Sequence, residues 1–163
     1  MESLWKNLDT LTSDIKNPLD LIKEQSGYLS EGTEGIFYIS NAKLVNPSGT
    51  TKKVLVEKGV KDKFAYKVSL CSEYMQEYSY NIFNLYYDIT FYPLIMNIPN
   101  TISEEIQSRI SSEYITSGAE RSYYMIRSQD AFEEILSEIF NCESLRTVMK
   151  NMRTIIGSIE QEE

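Results

Sequence analysis

Two hydrophobic periods divide this chain, and the switch between them restricts its fold more than any other feature. Near both ends, apolar residues recur at about the 3.6-residue period of a helix; in the middle they alternate as in a strand. Leu4, Leu8, Leu11 and Ile15 share one face of an expected first helix that ends near Lys16. Asn17-Pro18 stops it and starts a second, because Pro is tolerated at the first helical position after a cap. Leu19, Ile22 and Leu29 line that second helix, and Gly32 stops it. "GIFYISNAKLV", "TKKVLVEKGV", "FAYKVSL", "YSYNIFNLYYDITFY" and "LIMNI" are β-branched or aromatic runs broken by turn residues, read as about five antiparallel strands.

Helical spacing then returns. "TISE" at 101–104 reads as a capping box, with Thr101 capping and Glu104 reaching back; Ile102, Ile106 and Ile110 follow on one face. "RSYYMIR" at 121–127 reads as a short strand or extended link. Asp130 is the expected cap of a helix striped by Phe132, Ile135, Leu136, Ile139 and Phe140. A last helix near 144–159 carries Leu145, Val148, Met149, Met152, Ile155, Ile156 and Ile159, before a frayed "EQEE" tail. Helices, then sheet, then helices predict one α+β domain over residues 1–163. Its helices fall at about 3–31 and 102–159, its antiparallel sheet at about 36–98, and the C-terminal helices pack on one sheet face. A chain of 163 residues buries enough surface to fold without a disulfide or metal.

The net charge of −8 weighs against nucleic acid as the main partner and favours a basic one. Charge is uneven: residues 43–67 hold seven lysines against Glu57 and Asp62, read as solvated strand edges that discourage aggregation. No apolar run approaches the roughly 20 residues of a membrane span, and "MESLWKNLDTLTSDIK" lacks the layout of a secretory signal. A cytoplasmic location follows, with no membrane partner and with Cys71 and Cys142 as free thiols.

Catalytic equipment is sparse. The chain has no histidine, which removes the commonest neutral-pH base and metal ligand. The two cysteines are far apart, and no phosphate-cradling glycine loop occurs, so no metal or cofactor is expected. Glu104/Glu105 and Glu133/Glu134 lie in first helical turns, where negative charge opposes the helix dipole; that reading explains them without catalysis. Glu134 and Glu138 project from one face but are too few for a dedicated cation site. Lys67 is only a weak activating hint for Cys71.

The candidate site lies in "EYMQEYSYNIFNLYYDITFYPL", residues 73–94, which holds six tyrosines and two phenylalanines. Taken as one strand over 79–92, it puts Phe83, Leu85, Tyr87, Ile89 and Phe91 on a core face. Tyr80, Tyr86, Asp88 and Tyr92 fall on the other. Tyrosine offers a large apolar area with a polar tip, which suits interfaces. The partner-binding candidates are therefore Tyr80, Tyr86, Asp88 and Tyr92, with acidic support from Glu73 and Glu77; ordinary cross-strand stacking is the competing explanation.

A small acidic α+β chain with this tyrosine strand and no His, metal motif or nucleotide loop resembles the immunity proteins that bacteria encode beside secreted toxins. Those of contact-dependent growth inhibition systems are included. The stretch "YNIFNLYYDITFYPLIMNIP" also has the general look of bacterial accessory proteins, whereas the resemblance to immunity proteins is one of size, charge and lack of catalytic equipment. It implies a non-enzymatic inhibitor that covers the active or substrate-binding surface of a basic toxin domain, often a nuclease. The alternative is a self-associating regulatory or structural subunit that forms a homodimer through the Val148–Ile159 stripe.

Overall fold

The computed structural model describes residues 1–111, 114 and 123–162, apart from the side chains of 160–162. It is α+β, with helical segments toward both ends and one antiparallel sheet between them. In chain order the elements are α1 (Pro18–Gly32), β1 (Tyr38–Lys43), α2 (Gly49–Lys58), β2 (Phe64–Cys71) and β3 (Ser79–Tyr87). They continue with β4 (Leu94–Asn97), α3 (Asn100–Ile106), β5 (Tyr123–Ile126), α4 (Gln129–Phe140) and α5 (Glu143–Glu162). The five strands lie in the order β1-β2-β3-β4-β5. Every neighbouring pair is antiparallel.

The C-terminal helices pack on one sheet face as expected, and α2 covers the other. The larger core joins Ile22 of α1, Ile102 of α3, Phe132 and Ile135 of α4, and Met152 of α5 to Val68, Phe83, Tyr87, Leu94 and Tyr124 of the sheet. The smaller core lies on the opposite face, where Val54 and Leu55 of α2 cover Ala65, Tyr86, Ile95 and Tyr123. A buried hydrogen bond between Thr51 and Tyr123, 2.8 Å long, ties α2 down.

That helix replaces the strand expected at "TKKVLVEKGV". Ser48 caps it by accepting from the Thr51 N–H at 3.2 Å. Gly59, at φ 69°, ends it in a left-handed turn: Gly59 N–H donates to Val56 O and Val60 N–H to Leu55 O. Thr51, Val54 and Leu55 are its buried face, a helical spacing hidden within a β-branched run. The fifth strand comes instead from β5, outside the expected sheet range; Arg121 and Ser122 of the expected segment lie outside the described residues.

Several expected helix starts also shift. Asn17 caps α1 as foreseen, accepting from Leu19 N–H at 3.2 Å. Ser128, and not Asp130, caps α4, accepting from Ala131 N–H at 3.2 Å. The "TISE" box does not form, because α3 already begins at Asn100, after Pro99.

The first expected helix is absent. Residues 1–17 contain a single 3₁₀ turn, Leu8–Thr10. Leu4, Trp5, Leu8, Leu11 and Ile15 are 85, 76, 54, 77 and 51% exposed. Helical spacing alone does not hold a helix of this length in water without a surface to bury its stripe.

Candidate partner-binding surface

The structure divides the expected site. A register shift between Val68 and Ser69 moves the β2–β3 partners from Val68↔Phe83 to Ser69↔Asn81, leaving Ile82 as an extra residue. Ile82 and Phe83 both enter the larger core. Strict alternation therefore holds only after the bulge. Asn81 turns to the opposite face, and its side-chain amide donates to Val68 O at 3.1 Å and Asn84 Oδ1 at 3.2 Å.

The bulge turns Tyr80 off the expected face, α2 covers Tyr86 on it, and Tyr92 lies past the end of the strand. Tyr80 is half-buried against the larger core, and burial raises its hydroxyl pKa despite a hydrogen bond with Thr101. Tyr86 is on the foreseen face but only 2% exposed beneath α2. Tyr92 packs edge-on against Phe132, with ring centroids 6.4 Å apart. Its hydroxyl is buried with no hydrogen-bond partner among the described residues, and that burial, with Glu133 nearby, pushes its pKa well up.

Beyond Tyr87 the expected core face fails at Ile89 and not at Phe91, which packs against the larger core and lies edge-on to Tyr87. The strand ends there, and Ile89 is 71% exposed in a turn. Asp88 builds that turn: its carboxylate accepts from Ile89 N–H and its carbonyl from Phe91 N–H, each at 2.8 Å. Nine residues of β3 separate this turn from Glu73 and Glu77. At about 3.3 Å per residue that is roughly 30 Å, so the two groups of candidates belong to opposite ends of the sheet.

A different surface gathers around Glu73 and Glu77. The connection between β2 and β3 forms a 3₁₀ turn, Glu73–Met75, capped by Ser72 accepting from Tyr74 N–H at 3.2 Å. Met75 anchors it by packing toward the larger core. Tyr74 and Tyr78 are left 54 and 42% exposed. Met75 and Tyr78 meet Val148, Met152 and Ile155 of α5 along a groove of about 220 Å³. A wider hollow of about 590 Å³ joins Glu73, Tyr74, Glu77 and Tyr78 to Ile159. Among the described residues the ion pairs are Lys16–Glu24 and Arg109–Glu138, so neither Glu73 nor Glu77 has a cation within 4.0 Å. Arg153 lies on the flank, lining a neighbouring groove with Glu34 and Tyr74.

Searches against protein-family models, curated proteins and solved structures find no match to this chain.

The other candidate chemistry resolves into structural work. Glu105 of α3 accepts from the backbone N–H groups of Glu143 and Ser144 and from the Ser144 hydroxyl, the last at 2.6 Å. It thus caps α5 from outside, and the Ser144 hydrogen bond holds its carboxyl below the usual carboxylate range. Glu138 faces Arg109 at 4.0 Å, and Tyr114 donates to Glu134 at 3.3 Å. Among the described residues no three His, Cys, Asp or Glu side chains gather as a metal site. Cys142 is buried, and Cys71 donates to Ser40 Oγ at 3.3 Å. The lysines expected on strand edges ride mostly on and after α2, at Lys52, Lys53, Lys58, Lys61 and Lys63. Sequence reasoning missed Tyr74 and Tyr78, because the Glu73–Met75 turn that leaves them exposed interrupts any strand or helix period there.

Proposed function

We propose that the chain is a protein-binding inhibitor of the immunity type, which docks a basic toxin domain on the surface formed by the Glu73–Tyr78 turn and the end of α5. The observation that carries this reading is the juxtaposition of exposed Tyr74, Tyr78, Ile155 and Ile159 with the carboxylates of Glu73 and Glu77, which meet no cation within 4.0 Å among the described residues. Aromatic anchors give affinity when desolvated, and an acidic rim selects and steers a cationic partner. The full charge of −8 supports that direction of steering.

Inhibition in this reading is steric: the partner's own Lys and Arg, which would hold substrate, are engaged by carboxylates and covered by tyrosine rings. The original six candidates contract to Glu73 and Glu77. The self-association alternative through α5 has less to work with, since Met152 and Ile156 are 2 and 5% exposed inside this chain. The reading expects a basic toxin domain encoded beside this chain, and the test is co-expression with it. Wild type is expected to rescue growth and co-purify with it, and Glu73→Lys/Glu77→Lys is expected to do neither while melting normally. Equal protection by both proteins refutes the site, and no protection by wild type refutes the function.

A further inference from the structure

We propose that the N-terminal arm, residues 1–15, seats as an amphipathic helix in the groove between α1 and the α4–α5 junction of a second copy of this chain. The proposal is independent of the inhibitor reading, because the two surfaces share no lining residue. The groove consists of two adjoining hollows of about 260 and 280 Å³ that share Gln25, Phe140 and Asn141 as a wall. Its apolar lining includes Leu29, Leu145 and Met149, with Tyr28 at 66% exposure on its rim.

The arm carries the complementary surface. Leu4, Leu8, Leu11 and Ile15 would form a single stripe on a helix, with Trp5 at its flank, and all five are exposed here. Docking and helix formation would then occur together, since a lone helix of this length is marginal in water.

The point of attachment favours exchange between copies. Lys16 is pinned at the groove's end: its backbone N–H donates to Gln129 Oε1 at 2.8 Å, and its ammonium pairs at 3.0 Å with Glu24, which lines the groove. Asn17 is held as well, capping Leu19 and accepting the Tyr87 hydroxyl at 2.5 Å. Pro18 further confines Asn17 to φ −57°, ψ 127°. Folding back onto its own groove would have to reverse the chain across these two fixed residues. Reaching the same groove on a second copy does not, and mutual exchange closes a two-fold dimer. A lipid surface is the poorer occupant, because the arm sets Lys6 against Glu2, Asp9 and Asp14, whereas interfacial helices carry a basic polar face.

Sedimentation of the full chain tests this at about 100 µM, where a dimer with a dissociation constant of about 1 µM is mostly assembled. Wild type is expected to sediment as a dimer and to gain helical circular dichroism with concentration. Leu8→Asp/Leu11→Asp in the arm and Tyr28→Glu in the groove are each expected to weaken self-association at least about tenfold. Both sites are solvent-exposed in the single chain, so both variants keep their fold, and a cooperative melt verifies it. Mixing the two variants restores a heterodimer, because one intact arm still meets one intact groove. A monomeric wild type, whether its arm is folded back or kept for another protein, overturns the proposal. So does a dimer that survives the arm substitutions.

Discussion

Tyr86 and Tyr74 belong to one aromatic stretch and yet predict opposite behaviour. Tyr86 lies under α2 at 2% exposure, among Val54, Leu55 and Ile95. Tyr86→Ala should open a cavity there and cost about 3–5 kcal/mol, as large aromatic deletions do. Tyr74→Ala, at a 54% exposed position, should change stability by less than about 0.5 kcal/mol and act on binding alone. Urea denaturation of both separates the two roles; a mild Tyr86→Ala would mean that α2 does not seal this face. Glu105 gives a pH-dependent counterpart. Its folded pKa is lowered from 4.5 chiefly by the Ser144 hydrogen bond. A group with a depressed folded pKa adds stability above its unfolded value and loses it as pH falls through the folded value. Glu105→Ala should therefore cost about 1 kcal/mol at pH 7, typical of a lost N-cap, and progressively less as pH falls below 4.5. Thermal melts across that range check it; a difference that stays constant to pH 3 would show that the charge is not involved.

At the scale of elements, what was legible depended on whether local and tertiary signals agreed. α1, α4 and α5 were readable because apolar stripe and burial against the sheet coincide, even where the cap was misplaced, as at α4. The segment that became α2 carries the β-branched Val54 and Val56 beside Leu55, which outweighed its Ser48 cap and Gly59 stop. The arm failed the other way: its stripe is regular, but among the described residues nothing covers it. The bulge at Ile82 has no composition signal, so the alternation that placed Tyr80 outward broke without warning. Of the candidate site, the acids were legible from charge, whereas Tyr74 and Tyr78 depend on a turn that only three-dimensional packing of Met75 explains. Two glycines test the helix endings. At Gly59, φ 69°, an added Cβ meets no atom within 4 Å, so Gly59→Ala should cost about 1 kcal/mol from backbone strain alone. Gly157 is equally uncrowded but sits inside α5, so Gly157→Ala should stabilise by up to about 1 kcal/mol. Opposite shifts in urea midpoint are the expected result; shifts of the same sign would contradict the placing of Gly59 at a helix end and Gly157 inside a helix.

Across the whole molecule, charge and shape are arranged by the sheet. α2 and its flanks concentrate lysine on one face. The Glu73–Tyr78 turn and the end of α5 bring acids and exposed aromatics to one end of β3, while Asp88 marks the other end, roughly 30 Å away. Exposed charges separated by more than a Debye length of about 8 Å at physiological salt are largely screened from each other. A basic partner approaching the Glu73 end therefore responds to local carboxylates and not to Asp88. Glu73→Lys/Glu77→Lys should slow association about tenfold at low salt and flatten its dependence on ionic strength, because steering is lost before contact. Asp88→Lys changes the net charge in the same direction but should leave the rate within about twofold at physiological salt, its influence emerging only at low salt, where the Debye length grows to roughly 30 Å. Stopped-flow association at two salt concentrations distinguishes them. If Asp88→Lys slows binding as much as the double reversal, attraction is set by net charge, and the docking surface cannot be assigned to the Glu73–Tyr78 end.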